Sequence, residues 1–421
     1  MLIASCTSYP KRISNLPVVV DSILRNSCPP DKIIINLSRD EFPNCELPKE
    51  VQEYINAHKQ VSVNWLDGNW KVYKKFLPIL KEYQDALIFP FDDDIIYPNN
   101  IIEEALEVHR KYPTSPVSCN HYQVSGLKAH CGAGSLVMAK HFLGWEEYVN
   151  EDMIYKCPAD DVFYTQMAAM NGYFYRATPT HFPDCWESYE EGECYSKSIS
   201  RINKLTEVAL YEVLGQKVKM RFSDDETKPV CVMNILAVPR GLDIEEELLG
   251  WVIPSYNVLI VEHNGKKFEY PGLKLAHDYV VNNDIKVPIC YIHSKGAWHV
   301  RKESYPVRKM WRHEFFKRQK DYLAAVNVDK PMIATPYHGV IHSDWLNIAV
   351  PKGITYNIPY ENGWVANAAA VRNMDVFLSD NRYIYEILCY KGIEMKGLIM
   401  HDIAGEDIPS RKKITEHIMT F

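Results

Sequence analysis

The 421-residue chain reads as a two-domain α/β protein: a first domain on a mainly parallel sheet, then a second α/β unit. Three observations predict this. The length exceeds the ~250–300 residues at which one hydrophobic core stops growing. Through the first two hundred residues, short apolar runs alternate with stretches of helical spacing, the pattern of strands joined by crossover helices. After a polar stretch at Arg221–Lys228 (RFSDDETK), the alternation restarts. The expected domains are 1–220 and 229–421.

Along the first domain, Leu2–Ser5 is a short strand running into the polar Thr7-Ser8-Tyr9. Leu16–Leu24 has near-helical apolar spacing, and Pro29-Pro30 marks a break after it. Lys32–Leu37 is a buried-strand pattern, Val51–His58 a helix, Val61–Leu66 a strand, Val72–Tyr83 a helix and Ala86–Phe91 a strand. Asn99–Tyr112 is helical, with Ile101, Ala105 and Val108 on one face, and Tyr173–Ala177 is the last strand of the first domain. Ligands of such sheets bind outside the carboxyl ends of the strands. In the second half, strands are expected at Val230–Leu236, Asn257–Glu262 and Val287–Ile292, with helices at Gly272–Val281 and Lys309–Ala325.

Composition narrows the class. An apolar fraction of 47% and a charged fraction of 24% exclude wholesale disorder. A net charge of -7 argues against a generally basic nucleic-acid surface. The 27 Tyr and 9 Trp suit core packing and sugar stacking equally. The cysteines, 11 in number, contain no C-x-x-C pair, so neither a zinc ribbon nor a redox motif is expected. The amino terminus lacks the pattern of a signal peptide. No window holds the ~18 consecutive apolar residues of a membrane span. The expectation is a cytoplasmic protein with reduced thiols.

The strongest chemical signal is an apolar strand running directly into Asp92-Asp93-Asp94. Adjacent like charges at a strand end repel and are costly to desolvate. A divalent cation removes that cost, and in a D-x-D arrangement Asp92 and Asp94 can share one metal with a diphosphate. A solvated acidic turn complementing the dipole of the next helix is the plainer alternative. Lys74 and Lys75 stand at the start of the preceding predicted helix, as surface lysines or as charge near that acidic end. Cys131-Gly132-Ala133-Gly134-Ser135-Leu136 is a glycine-rich turn that does not fit a phosphate loop. Cys157-Pro158-Ala159-Asp160-Asp161 opens a helix, where the paired acids serve as caps or supply a base for an acceptor hydroxyl.

Taken in order over about half the chain, these segments resemble a bacterial GT-A-type glycosyltransferase domain of the capsule and lipopolysaccharide kind. Ser8-Tyr9-Pro10-Lys11-Arg12-Ile13 is similar to the segment that receives the nucleotide, and Asp31–Ser38 to the second strand. Tyr73–Pro78 is similar to a basic segment, Asp92–Pro98 to the D-x-D motif, Gly132–Leu136 to the turn beside the donor sugar, and Cys157–Asp161 to the base motif. The resemblance implies a GT-A (Rossmann-like) fold and transfer of a sugar from a nucleotide-sugar to a polysaccharide or glycolipid acceptor. The donor would lie against Thr7, Tyr9, Arg12, Asp67, Lys74, Lys75, Asp92, Asp93 and Gly134. Mn2+ or Mg2+ would be held by Asp94 and Asp92, with His181 as a third ligand, and Asp161 or Asp160 would be the base.

In the second half, His293-Ser294-Lys295-Gly296, Trp311-Arg312 and Glu361–Ala366 resemble the "HTKG", "WR" and "GNFWW" segments of a second group of bacterial polysaccharide glycosyltransferases. No D-x-D is present there. The resemblance implies a metal-independent GT-A-like site, with His293, Lys295 and Arg312 offsetting phosphate charge and Trp364 stacking on a sugar. A degenerate domain kept for acceptor binding or packing is the alternative. Arg301–Lys320 is basic and interleaved with aromatics, which suits peripheral membrane contact or a buried aromatic stripe. Two other functions stay open: a phosphohydrolase using D-x-D aspartates, against which three preceding strands count, and a carbohydrate-binding scaffold.

Overall fold

A computed structural model of the protein describes residues 1–120, 134–182, 187–188, 199–223, 225–295, 297, 304–342, 355–376, 389–399 and 411–420. The chain separates into two units, Met1–Leu214 and Gly215–Phe421.

In the first unit the β-branched runs form four parallel strands, β1 (Leu2–Thr7), β2 (Lys32–Ser38), β3 (Val61–Leu66) and β4 (Leu87–Pro90), in the order β3-β2-β1-β4. The central strand β1 pairs Ile3 with Lys32 on one side and with Ile88 on the other. Both faces of β1, β2 and β4 are covered, so these strands are largely buried, whereas the edge strand β3 alternates and is only partly buried. Ile3, Ile34 and Ile88 pack against Tyr73, Phe76 and Leu77. Ala4, Ile33, Ile35 and Phe89 pack with residues of α1 (Leu16–Leu24), α2 (Lys49–Ala57) and α3 (Ile101–Lys111). Later come α4 (Glu151–Lys156), α5 (Asp160–Met170) and α6 (Ile199–Leu214), and a small sheet of Val117–Ser118, Ser135–Leu136 and Arg176–Ala177. The strand expected over Tyr173–Ala177 is limited to Arg176–Ala177.

The helix expected over Val72–Tyr83 does not form. Two short 3-10 turns, Lys71–Lys75 and Leu77–Ile79, stand in its place and are broken at Phe76 (φ -150, ψ -16). Pro78 supplies no amide proton for the carbonyl of Lys74 four residues back, and it is tolerated only in the first turn of a new helix, where it sits. The carbonyl of Lys75 is used by the sheet instead, accepting from Ser5 Oγ at 2.6 Å and Asn36 Nδ2 at 3.1 Å.

The second unit is built on a seven-stranded mixed sheet. Its strands are β5 (Gln216–Arg221), β6 (Val230–Leu236), β7 (Asn257–His263), β8 (Ile289–His293), β9 (Met332–Thr335), β10 (Trp364–Ala366) and β11 (Glu394–Gly397), in the order β5-β7-β6-β8-β10-β9-β11. The β7-β6-β8 core is parallel, whereas β5 and β10 run antiparallel to their neighbours. Because Arg221 of β5 pairs with Val258 of β7, the division between units falls before the polar stretch at Arg221–Lys228, not within it. The helices are α7 (Pro239–Val252), α8 (Tyr270–Asn282), α9 (Ser304–Trp311), α10 (Gln319–Val326), α11 (Ala368–Arg372) and α12 (Arg411–Ile418).

The single helix expected over Lys309–Ala325 is interrupted by a π-helical turn at Arg312–Lys317. That turn carries Glu314, 1% exposed, which accepts from Arg318 Nη1 at 2.9 Å and Tyr322 OH at 3.0 Å. A buried carboxylate needs such donors, and the widened turn admits them. Trp311 and Phe315 lie in the core with Val307 and Met310, so these two aromatics face inward. Among the described residues, no helix is long and apolar enough to cross a membrane.

Candidate active site

The order β3-β2-β1-β4 reverses direction between β1 and β4, and a crevice opens beyond the carboxyl ends of two such strands. The segment after β1 brings Ser8, Tyr9 and Arg12 there, and the segment after β4 brings the three aspartates. Ser8 Oγ donates to Asp93 Oδ2 at 2.5 Å. Arg12 Nη1 reaches Asp93 Oδ1 at 3.2 Å and Asp94 Oδ2 at 2.8 Å, and its guanidinium lies 5.7 Å from the Tyr9 ring centroid. Asp92 turns to Lys75, whose Nζ is 2.5 Å from Oδ1, while the Asp92 amide donates to Tyr97 OH at 2.8 Å. Lys75 Nζ also stands 3.7 Å from Asp160 Oδ2 at the start of α5.

Lys75 reaches this position because a polar network is built into the sheet. Asn36, fully buried next to the apolar run Ile33–Ile35 of β2, donates to Ser5 Oγ and to the carbonyl of Lys75, and Asn64 Nδ2 donates to Asn36 Oδ1 at 2.9 Å. Tyr73 OH donates to the carbonyl of Cys157 at 2.7 Å, tying the lysine segment to the one that carries Asp160 and Asp161. Neither lysine is a surface residue: Lys74 is 2% and Lys75 6% exposed. Lys74 pairs with Glu41 instead of the aspartates.

Burial and mutual repulsion set the electrostatics. Asp94 is pushed up to about 6, first by burial and then by the charge of Asp92, against the pull of Arg12. Burial raises Asp93 as well, with Ser8 and Arg12 opposing it. Asp160 is pushed up to about 7 by burial; Lys75 opposes this, and Asp161 and Asp92 add to it. Its Oδ2 has no hydrogen-bond partner among the described residues. Lys75 is raised: burial works against its charge, but Asp92 and Asp160 outweigh burial.

These values carry a pH dependence. Both numbered values stand above the ~3.9 of an unfolded aspartate. Through these two groups the folded chain holds more protons between about pH 4 and pH 7, which lowers stability as pH rises through that window. The buried His141 and His263, lowered to about 3 and about 4, act the other way up to about pH 6.5. Without divalent cations, the melting temperature of the native chain relative to that of Asp94→Asn is expected to fall between about pH 4 and pH 7. Equal slopes in scanning calorimetry would contradict the buried position of Asp94.

Five carboxylates (Asp92, Asp93, Asp94, Asp160 and Asp161) act here on two cations, Arg12 and Lys75. An acidic excess of oxygen donors, in which Asp92 already disfavours ionised Asp94, fits a hard divalent cation. His181 does not complete a cage: among the described residues, no three His, Cys, Asp or Glu side chains group as a metal site. The same holds for the three aspartates as they stand: Asp92 is turned to Lys75 and Asp94 to Arg12, so a shared cation would have to draw both carboxylates from these partners.

The other expected donor residues fall around this centre with different roles. Thr7 Oγ1 donates to the carbonyl of Asn36 at 2.8 Å, within the sheet. Asp67 is exposed and pairs with Arg39 at 3.2 Å. Gly134 has φ +91, and a Cβ there would stand 3.1 Å from Ile101 and 3.4 Å from Phe89, so backbone geometry and core packing call for glycine. Cys131, Gly132 and Ala133 of that turn lie outside the described residues. Sequence reasoning missed Ser8 as the partner of Asp93, and Asn36 as the anchor of Lys75. The signal for Asn36 was present, because an amide inside the run KIIINL must find hydrogen bonds when buried.

In the second unit, His293 and Lys295 lie at the carboxyl end of β8, but Arg312 and Trp364 do not join them as expected. Arg312 is exposed on the π-helical turn, with its guanidinium 5.3 Å from the Trp251 ring centroid. Arg308 takes the inner position, donating to the Lys295 carbonyl at 2.7 Å. Trp364 is fully buried, stacked on Tyr291 at 5.2 Å and bonded through Nε1 to Tyr390 OH at 2.9 Å. No face of that indole is open to a sugar.

No family model matches the chain. No curated protein matches it either. Among solved structures, the chain is similar to the mannosyltransferase PcManGT from Pyrobaculum calidifontis in complex with GDP-Man and Mn2+, at 16% identity and TM-score 0.37. That match covers 48% of this chain and 60% of the other. It is also similar to S. aureus TarS 1-349 in complex with UDP, at 9% identity and TM-score 0.35, covering 50% of this chain and 66% of that one. A second TarS 1-349 structure gives 9% identity and TM-score 0.36, over 67% and 80%. Likenesses at these scores bear no functional weight.

Proposed function

We propose that the first unit is a cation-dependent GT-A-type glycosyltransferase, moving a sugar from a nucleotide-sugar to a hydroxyl of a surface-polysaccharide or glycolipid acceptor at the cytoplasmic side. The observation that carries this reading is the acidic excess at the switch point of a parallel sheet, where among the described residues Arg12 and Lys75 are set against five carboxylates. Asp92 and Asp94 would hold Mn2+ or Mg2+. When bound, the cation supplies charge that stabilises the departing diphosphate. Arg12 orients Asp93 and Asp94, and Lys75 fixes Asp92 in direction while neutralising Asp160. The segment Thr7–Arg12 receives the nucleoside, and Tyr9, 37% exposed, offers it a ring. Asp161 takes the proton of the acceptor hydroxyl: it is half-buried, whereas Asp160 is buried against Lys75.

The test is nucleoside diphosphate release by purified full chain from UDP- and GDP-sugars in Mn2+. Asp94→Asn is expected to lower it by about 10²-fold or more, as loss of a transition-state stabiliser does. Release unchanged in Asp94→Asn, or none from any donor by the native chain, would overturn the reading.

A further inference from the structure

The second unit has a switch point of its own. β6 is flanked by β7 and β8, both parallel to it, so the connections diverge beyond the carboxyl ends of β6 and β8. Polar groups from four segments converge there. His293 Nε2, at the end of β8, lies 3.3 Å from the Glu361 carbonyl and 3.7 Å from Glu269 Oε1. Lys295 pairs with the Glu361 carboxylate, and the Asn362 amide donates to Glu269. The Asn362 side-chain Oδ1 accepts from Tyr390 OH at 2.7 Å. The side chains of Glu269, His293, Glu361 and Lys295 are 10%, 13%, 16% and 19% exposed, so each still reaches solvent.

Two further observations set this cluster apart from ordinary ion pairing. Glu361 and Asn362 are consecutive non-glycine residues in the left-handed region, at φ 59 and φ 50. Each such residue costs roughly 1–2 kcal/mol and persists only where surrounding contacts over-determine it, as at ligand sites. Nearby, Asn234 pairs with His293 across β6 and β8; it is 3% exposed, and its Oδ1 has no hydrogen-bond partner among the described residues.

Charge decides the class of ligand. The carboxylates of Glu269 and Glu361 face Lys295, and His293 adds positive charge only when protonated, so the cluster holds no excess of cations among the described residues. A diphosphate would bring uncompensated charge and would have to displace Glu361 from Lys295. A neutral polyol does neither: each hydroxyl can donate to a carboxylate and accept from Lys295, His293 or Asn362. We propose that Glu269, His293, Lys295, Glu361 and Asn362 form a metal-independent carbohydrate site taking neutral sugar residues. This goes beyond the donor reading of the first unit and does not depend on it.

The experiment is saturation-transfer NMR on full-length Asp94→Asn chain in EDTA, with D-glucose, D-galactose, D-mannose and N-acetyl-D-glucosamine as probes. Transfer to at least one sugar is expected, falling at least tenfold in Glu361→Gln and in Asn362→Gly. The glycine variant relieves the left-handed backbone, so its loss of signal at an unchanged melting temperature separates recognition from folding. Where the glutamine variant does not fold, the glycine variant alone decides. Transfer to none of the sugars, transfer that survives Asn362→Gly, or transfer abolished by equimolar inorganic pyrophosphate would overturn the proposal.

Discussion

Lys75→Met is expected to lower the unfolding free energy by about 3–5 kcal/mol, the cost of removing one partner from a buried ion pair. The expectation rests on what surrounds the ammonium. It is 2.5 Å from Asp92 and 3.7 Å from Asp160, and the lysine is 6% exposed. Methionine fills much of the same volume, so the loss reads charge rather than a cavity. Among the described residues no other cation pairs with Asp160, so the change favours its protonated form further. Asp92, part of whose carboxylate meets water, loses the partner that fixes its direction. Chemical denaturation followed by circular dichroism measures the change. A loss below about 1 kcal/mol, the range of exposed pairs, would contradict the buried bridge.

Asp161→Asn is expected to lower turnover by about 10²–10⁴-fold, the usual contribution of a positioned general base. Nucleoside diphosphate affinity should stay within about twofold, because the donor contacts lie with Arg12 and the D-x-D carboxylates. Asp160 and Asp161 both open α5, where the helix dipole favours a carboxylate, so sequence position does not separate them. Burial separates them: Asp160 is held inward beside Lys75, and Asp161 is half-buried. Turnover of Asp160→Asn, measured alongside, decides the matter. A loss confined to Asp160→Asn would exchange the two roles.

The elements legible in the sequence are those whose own side chains face a single environment. The bounds of Leu16–Leu24 and Val230–Leu236 match their apolar runs, since a doubly covered sheet and its helices need little beyond burial. Val72–Tyr83 was not legible, because helical spacing there competes with Pro78 and with Ser5 and Asn36 drawing on the Lys75 carbonyl. Those donors come from β1 and β2, distant in sequence. Lys309–Ala325 failed for a similar reason, since Glu314 turns inward to meet Arg318 and Tyr322.

The acidic centre was legible as a strand running into three carboxylates, but its cations were read only in part. Arg12 lies in the expected segment, whereas two neighbouring lysines part company, Lys75 to Asp92 and Lys74 to Glu41. Trp364 shows the converse limit. An aromatic beside a glycine suggests a stacking platform, yet this one pairs with Tyr291 in the core.

The central claim, that a cation held by the first unit's aspartates binds the donor, is tested most directly by thermal shift with UDP and GDP, with and without Mn2+. A ligand that binds the folded chain raises its melting temperature by mass action. At least one nucleotide is expected to raise it only when Mn2+ is present, with the rise absent in Asp94→Asn and retained in Lys295→Met. A rise that needs no cation, or one that persists in Asp94→Asn and disappears in Lys295→Met, would contradict the account.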